Sequence, residues 1–159
     1  MSKKIILQET KEEYLQSVIQ IEKDNSKFIG QYDIARHKEV LYSENEKHYS
    51  VFDKVDKSLI GYVILSGFAQ LNNSIEFRRI AISKKGHGCG RETIKLIKSL
   101  CFDKFNAHRL WLDVLSDNYR AIQLYESEGF LKEGLIRDCI KQDDKYLSIW
   151  IMSILATDM

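Results

Sequence analysis

The spacing of apolar side chains predicts helices in the first part of the chain and mainly strands after it. Residues 9–25, "ETKEEYLQSVIQIEKDN", have the three-to-four-residue apolar period of a helix. Thr10 and Glu13 have the spacing of a capping box, which would begin this helix. Residues 32–44, "YDIARHKEVLYSE", predict a second, weaker helix after the turn-like "SKFIGQ". The first helix would present on one face Leu15, Val18, Ile19 and Glu22.

The alternating period that is typical of strands begins after the second helix. The segments "HYSVFDK" and "SLIGYVILSGF" predict a hairpin closed by "VDKS", and "IEFRRIAIS" predicts a further strand. Strict alternation along that strand would place on one face Glu76, Arg78, Ile80 and Ile82.

Helices and strands alternate through the second half of the chain. The segment "RETIKLIKSLCFDKF" predicts a helix, and "HRLWLDVL" predicts a strand. The next helix, "SDNYRAIQLYESEG", would be capped by Ser116, Asp117 or Asn118 and ended by Gly129. Two last strands, "FLKEGLIRDCI" and "KYLSIWIMSIL", surround "KQDD".

These elements indicate one α/β (α+β) domain over residues 1–159, with a mixed, mostly antiparallel sheet flanked by helices. Their order is ααβββαβαββ, with a short extra strand over residues 4–7 in front. A chain of 159 residues is long enough for one domain with a substantial core. The formal net charge of +1 argues against a dedicated nucleic-acid binder, which would carry a strongly basic surface.

The first residues and the cysteines indicate a cytoplasmic protein. The start has two lysines but only three consecutive apolar residues, too few for a signal peptide, and no apolar run is long enough to span a membrane. The three cysteines, Cys89, Cys101 and Cys139, are odd in number and lack a C-x-x-C spacing. We therefore expect neither a disulfide framework nor a zinc site, and a reducing compartment.

A glycine-rich loop, "KKGHGCGRET" over residues 84–93, stands between a predicted strand and a predicted helix. Such a junction is suited to bind phosphate, because the amides at the start of a helix are unpaired and carry partial positive charge. Residues 77–91 contain no acid and six basic or histidine residues, whereas Glu76 and Glu92 flank them. A solvated basic turn is the plain alternative. The six are Arg78, Arg79, Lys84, Lys85, His87 and Arg91.

The spacing of the glycines at positions 86, 88 and 90 excludes two common phosphate loops. A Walker A loop needs Gly-Lys five residues after its first glycine, where this chain has Arg91. The dinucleotide loop Gly-x-Gly-x-x-Gly also fails, since the third glycine comes one residue early.

Two segments together resemble the GNAT superfamily of N-acetyltransferases. "RRIAISKKGHGCGRETIKLIK" is similar to its cofactor-binding segment, in which Arg or Gln is followed by x-x-Gly-x-Gly/Ala; Lys85 stands at the first place as a mild departure. "RLWLDVLSDNYRAIQLYESEGF" resembles the family's later motif through Asn118, Ala121, Tyr125, Gly129 and Phe130. "EGF" followed by "EGLIRD" looks most like the branch of ribosomal-protein N-terminal and polyamine acetyltransferases.

The resemblance implies acetyl-coenzyme A as acetyl donor, with no metal. The pyrophosphate would bind the loop amides, and the pantetheine would bind like an extra strand beside Ile80, Ala81 and Ile82. The N–H of Ile80 would stabilise the oxyanion, while Asn118 and Tyr125 would face the pantetheine and the sulfur. The loop residues so implied are Lys85, Gly86, His87, Gly88, Cys89, Gly90 and Arg91, among which His87 and Cys89 read as spacers.

Acetyl transfer to an amine needs a base for the ammonium and an acid for the leaving thiolate. Glu76 is the candidate base, and its plain alternative is an ion pair with Arg78. Tyr125 is the candidate acid, and its plain alternative is ordinary packing on one face of a helix. Asn118 also suits a helix N-cap. Asp113 could point toward the cleft, although a carboxylate at a strand end needs no function. Trp111 and Trp150 are expected in the core.

The acceptor would be a small amine, such as a polyamine, or a protein N-terminus. It would lie near residues 28–34 and the final hairpin, in a region that holds Phe28, Tyr32, Asp33 and Glu39. The resemblance also implies a possible homodimer, and we expect neither nucleic acid nor a membrane as partner. A catalytically silent acyl-coenzyme A sensor of the same fold, and an unrelated nucleotide binder, are the alternatives.

Overall fold

The computed structural model describes residues 4–25 and 30–159. Its seven strands are β1 (Ile5–Glu9), β2 (Glu46–Asp53), β3 (Leu59–Ser66), β4 (Ser74–Ile82), β5 (Arg109–Leu115), β6 (Leu131–Gln142) and β7 (Lys145–Leu155). The helices are α1 (Leu15–Asp24), α2 (Ile34–Tyr42), α3 (Cys89–Ser99) and α4 (Tyr119–Ser127). A π-helical turn, Leu100–Lys104, extends α3. The predicted order of elements is confirmed, including the additional first strand.

The strands form one sheet in the order β1-β2-β3-β4-β5-β7-β6. All neighbours pair antiparallel except β4 and β5, which are parallel. The β4–β5 ladder joins only residues 74–76 to residues 109–111, although both strands continue beyond it. The sheet therefore opens in the middle, and the edge of β4 after Glu76 faces a gap.

Helices cover the two faces of the sheet unequally. On one face, which we call the α3–α4 face, Ile94, Ile97 and Ile122 pack into the main core together with apolar residues of most strands. On the other, the α1–α2 face, Val18 and Val40 pack with a smaller group of strand residues. Each fully buried aliphatic side chain stabilises the fold by roughly 1.5–3 kcal/mol.

A β-bulge in β4 decides which side chains share a face. Opposite β3, Phe77 pairs with Leu65 and Arg79 pairs with Ile64, so Arg78 is an extra residue on β4. The prediction of a single face for Glu76, Arg78, Ile80 and Ile82 was therefore wrong, because it assumed unbroken alternation. The register places on the α1–α2 face Glu76, Arg79 and Ala81, and on the α3–α4 face Phe77, Ile80 and Ile82.

The predicted capping box at the first helix is also wrong. The Thr10 hydroxyl instead lies 2.7 Å from His48 Nδ1 and 2.7 Å from the Ser50 hydroxyl, both on β2. A short 3-10 turn, Glu12–Tyr14, precedes α1, and the side chain of its N-cap residue, Lys11, makes no capping hydrogen bond. Ile19 is only half-buried, and the buried face of α1 consists of Leu15, Val18, Ile21 and Glu22.

The two tryptophans have different environments. Trp150 packs against the main core as predicted. Trp111 pairs with Glu76 on β4 and lies half-buried on the other face, so its placement in the core was wrong. Cys89 and Cys101 are buried, Cys139 is exposed, and all three thiols are free. Within residues 4–25 and 30–159, no helix has the length and apolar character needed to cross a membrane.

Candidate active site

A cleft of about 1150 Å³ lies in the gap between β4 and β5. The glycine loop and the starts of α3 and α4 form one end of it, and residues of the β6–β7 hairpin form part of the rim. The cleft exists because the two parallel strands separate after three residue pairs. It brings together the two segments that the sequence singled out, the glycine loop and the start of α4.

The glycine loop presents backbone to this cleft. Gly86 and Gly88 have φ of 79° and 77°, in the left-handed region that glycine adopts without strain. Gly88 is the N-cap of α3 and, as a glycine, has no side chain that could cap the helix. The first amides of α3 are thus placed for an anion, since Gly88, Cys89, Gly90 and Arg91 all line the cleft.

Several side chains of the loop point to partners within the protein. The Lys84 ammonium lies 2.6 Å from an Asp53 carboxylate oxygen, and Arg91 donates to Glu128 at 2.6 Å. His87 is exposed, and its carbonyl accepts a hydrogen bond from Lys4 Nζ at 2.9 Å. Burial raises the pKa of the Cys89 thiol, so it remains protonated near neutral pH. The loop therefore offers mainly its backbone to the cleft, with the exposed Lys85 as additional charge.

Ile80, Ala81 and Ile82 line the cleft along the unpaired edge of β4. An extended molecule can add to such an edge through main-chain hydrogen bonds. The structure thus places the predicted strand-like binding segment beside the glycine loop, in one continuous wall.

Tyr125 lies on α4 at the α3–α4 side of the gap. It is buried, and its ring packs edge-on against Phe77 and Phe130, with centroid distances of 6.4 Å and 5.7 Å. Burial, and after it the negative charge of Asp113, raises the pKa of the Tyr125 phenol. The phenol therefore keeps its proton at neutral pH and can donate it to a strongly basic group in the cleft.

Glu76 lies on the α1–α2 side of the gap and, unlike the adjacent Phe77 and Arg78, is not one of the residues that line the cleft. Its carboxylate accepts from Arg78 Nε at 3.1 Å and from Nη2 at 2.8 Å, which is the predicted ion pair. The wall of the cleft at this point is formed by Phe77 and Arg78. Glu76 and Tyr125 are thus on opposite faces of the sheet, on either side of the gap.

Asn118 takes its predicted place as N-cap of α4, with its side-chain oxygen 3.3 Å from the amide of Ala121. It also lines the cleft. Gly129, with a φ of 97°, follows the end of α4 as predicted. One residue therefore both caps the start of α4 and lines the cleft.

A buried polar network next to the cleft was not predicted. Glu22 is completely buried and accepts from His37 Nε2 at 3.0 Å, from the Tyr62 hydroxyl, and from Arg79 Nη2 at 3.2 Å. His37 Nδ1 in turn lies 3.1 Å from His48 Nε2. Burial acts to raise the pKa of Glu22, but the hydrogen bonds from His37, from Tyr62 and from the amide of Tyr32 outweigh it, and the net pKa is lowered. The sequence signal that could have revealed this network is Glu22, an acid on the otherwise apolar face of the first helix.

Arg79 links this network to the chain that precedes α2. Its guanidinium lies 3.8 Å from the centroid of the Tyr32 ring and donates to the carbonyl of Gly30. Asp33 caps α2 by accepting from Arg36 N at 2.8 Å, and Glu39 is exposed. Phe28, the remaining residue predicted near the acceptor, lies outside the described residues. No group of three or more His, Cys, Asp or Glu side chains in the described ranges is placed to hold a metal.

The sequence matches the model of the acetyltransferase (GNAT) family over residues 9–130. A spermidine N(1)-acetyltransferase of Vibrio cholerae is 30% identical over 115 residues, which are 72% of this chain and 66% of that protein. A probable N-acetyltransferase of Bacillus subtilis is 26% identical over 129 residues, or 79% of this chain and 70% of that protein. The chain thus spans just under two thirds of the spermidine acetyltransferase.

Solved structures extend the likeness to the whole fold. The Vibrio cholerae spermidine N-acetyltransferase in complex with CoA and spermine superposes with a TM-score of 0.87 at 23% identity, over 99% of this chain and 98% of that one. A dodecameric structure of the Vibrio cholerae enzyme in an intermediate state gives a TM-score of 0.84 at 26% identity, covering 98% and 96%. The predicted fold class is confirmed by this agreement.

Proposed function

Because the chain belongs to the acetyltransferase (GNAT) family, we propose that it transfers the acetyl group of acetyl-coenzyme A to a primary amine of a small polyamine. The observation that carries the proposal is the cleft between β4 and β5. It joins an anion-binding helix start to a gap with a tyrosine on one side and carboxylates on the other. The named activity of the Vibrio cholerae relative supports an amine acceptor.

The glycine loop meets the requirements for binding the pyrophosphate of coenzyme A. A pyrophosphate needs several backbone N–H donors and room for close approach, and both are supplied by Gly86 and Gly88 with the start of α3. When bound, acetyl-coenzyme A supplies a thioester, whose carbonyl is open to attack by an amine. The loop amides over residues 85–91 would hold the pyrophosphate, and the β4 edge would hold the pantetheine.

The reacting groups of the protein lie around the gap. The N–H of Ile80 would donate to the oxyanion, as preorganised donors do in acyl transfer. Glu76 would accept the proton of the amine, and Tyr125 would protonate the departing thiolate. The cap at Asn118 uses the side-chain oxygen, which leaves the NH₂ group of that amide for the pantetheine.

The direction of approach follows from the bulge in β4. Glu76 lies on the α1–α2 face, while Ile80 and Tyr125 lie toward the α3–α4 face. The amine would therefore enter from the α1–α2 face, and the thiolate would leave on the opposite side. Gly30 lines the cleft and Tyr32 contacts Arg79 on this face, in line with the acceptor region expected from the sequence.

We also propose that the protein forms a homo-oligomer through the edge strand β6. This strand lies at the end of the sheet and exposes several large apolar side chains. Long exposed apolar edges are unfavourable in isolated proteins and are usually covered. The exposed residues of the hairpin are Leu131, Leu135, Ile136, Ile140 and Tyr146.

The function is tested by a thermal-shift measurement with coenzyme A, followed by thiol release from acetyl-coenzyme A with a panel of amines. A ligand at about 100 times its Kd adds roughly 2.7 kcal/mol of apparent stability. We expect a shift with coenzyme A, and turnover with spermidine or spermine above that with a peptide N-terminus. A shift without any turnover would identify a silent acyl-coenzyme A binder. Stabilisation by ATP or NAD alone would identify a nucleotide binder.

A further inference from the structure

Asp113 lies in the wall of the cleft, on β5. Its neighbours Leu112 and Val114 are buried in the main core on the α3–α4 face. Alternation along β5 therefore places Asp113 on the α1–α2 face, together with Trp111. Trp111 pairs directly with Glu76. Asp113 stands two residues after Trp111 on β5, at the point where β4 and β5 separate.

The charges around Asp113 come from both sides of the gap. Partial removal from water in the cleft is the main cause that raises the pKa of the Asp113 carboxyl. Glu76 on β4 raises it further and Arg78 lowers it, so the net pKa is raised. On the other side, the negative charge of Asp113 helps to raise the pKa of Tyr125 on α4. Asp113 consequently lies in the wall of the cleft that Tyr125 also lines, within electrostatic reach of both the candidate base and the candidate acid.

The carboxylates of this region differ in how they are neutralised. Glu76 is held by Arg78, and Glu46 makes a pair of hydrogen bonds with Arg36 at 2.9 Å and 2.6 Å. Across residues 4–25 and 30–159, Asp113 makes no such ion pair, and its side chain keeps contact with solvent. It is thus a carboxylate in the cleft wall that is available to a cation.

We propose that Asp113 binds the ammonium group of the acceptor amine and positions its nitrogen in the gap between β4 and β5. The inference rests on the proposed function and adds the residue that recognises the acceptor. An aliphatic amine arrives protonated at neutral pH, so a carboxylate at the entrance to the gap favours it over an uncharged amine. Glu76, the ion-pair partner of Arg78, would then take the proton.

The experiment compares Asp113→Asn with the wild-type protein, with spermidine as acceptor. Hydrogen bonds to charged groups are strong enough that the loss should raise KM for spermidine by about 10-fold or more, with a smaller change in kcat. Asp113→Glu should recover part of the affinity. The affinity for coenzyme A and the melting temperature should not change. Asp103→Asn, an exposed acid on the π-helical turn, is the matched control and should leave KM unchanged.

A second readout uses titration. Spermidine binding to the coenzyme A complex, measured by calorimetry, should weaken as the pH falls through the pKa of Asp113. Arg78→Gln removes a positive charge that lowers this pKa, so the weakening should begin at higher pH. Because Arg78→Gln also frees the Glu76 carboxylate, the same comparison is made in an Asp113→Asn background, where the displacement should disappear. A displacement that persists there would refute the role of Asp113.

Three outcomes decide the proposal. If the wild-type protein acetylates no amine, the proposed function itself fails. If it acetylates spermidine and Asp113→Asn retains the wild-type KM, the function stands and the role of Asp113 is refuted. If Asp113→Asn lowers the affinity for an uncharged aromatic amine as much as that for spermidine, recognition of the ammonium is refuted.

Discussion

Individual side chains in this protein owe their chemical state to what packs around them. Tyr125 and His48 both lie in the interior, and burial stabilises the neutral form of each. For the phenol this means a raised pKa, and for the imidazole a lowered one. The same physical effect therefore gives the cleft a protonated acid and the buried network an uncharged base.

Replacing Tyr125 by Phe removes the proposed acid while retaining the ring that packs on Phe77 and Phe130. We expect turnover to fall by about 10²–10⁴-fold, the range for one general acid. Coenzyme A should still raise the melting temperature as in the wild type, because the glycine loop is unchanged. Turnover equal to that of the wild type would exclude Tyr125 as the acid.

Because His48 is buried, we expect the protein to lose stability in mild acid. Burial, and then the charge of His37, lowers the pKa of His48 to about 3, so below pH 6.5 only the unfolded chain gains a proton. The stability linked to His48 is present above pH 6.5 and is lost by up to about 1.4 kcal/mol per pH unit below it.

Urea denaturation at pH 7.5 and pH 5 measures this effect. His48→Gln lacks the titrating group, so its stability should fall by about 2 kcal/mol less than that of the wild type over this interval. His108→Gln, at an exposed histidine, is the control. The same loss in His48→Gln as in the wild type would show that other groups account for it.

At the scale of single elements, the periodicity of the sequence predicted the helices and strands well, because it depends on which face of each element is buried. It failed at the bulge in β4, where one extra residue reverses the alternation. Arg78 cannot be recognised as that residue from sequence, since the register of β3 against β4 decides it. The capping box failed for a related reason, because Thr10 bonds to side chains of β2 instead.

The glycine loop permits a test of backbone conformation alone. Gly86 has a φ of 79°, yet a Cβ added there would meet nothing within 4 Å. In Gly86→Ala the strain of roughly 1–2 kcal/mol would shift the loop from its anion-binding shape. We expect the Kd for coenzyme A to rise by about 10-fold, as measured by calorimetry.

The matched control is Gly134→Ala in β6. A Cβ at Gly134 would likewise meet nothing within 4 Å, but the residue lacks a left-handed φ. Its affinity for coenzyme A should equal that of the wild type. A similar loss in both variants would mean that the conformation of Gly86 is not what holds the cofactor.

At the scale of the whole molecule, family membership could be predicted because the two motifs are short, local and carried by backbone geometry. The network of Glu22, His37 and His48 could not, since it joins residues of two helices and a strand that meet only in the folded sheet. The same applies to the placement of Asp113 two residues after Trp111, the partner of Glu76, where β4 and β5 separate. Such sites depend on topology, which no single segment contains.

The exposed edge of β6 gives a prediction about assembly. Leu135 is 43% exposed on this strand, and a charge there would disfavour burial against a second copy. We expect Leu135→Lys to reduce the molar mass found by light scattering, whereas Leu71→Lys, at a leucine that is 98% exposed in a loop, should not. A wild-type protein that is monomeric at micromolar concentration would contradict the proposed interface.

The separation of β4 from β5 has a consequence for hydrogen–deuterium exchange. Past Glu76, β4 is paired with β3 on one side only, so alternate amides over residues 77–82 lack a partner strand. These amides should exchange quickly in the protein alone, while those bonded to β3 remain slow. A molecule that lies along the edge as an additional strand would slow only the first set. The labelling pattern would thus map, amide by amide, where the cofactor touches the sheet.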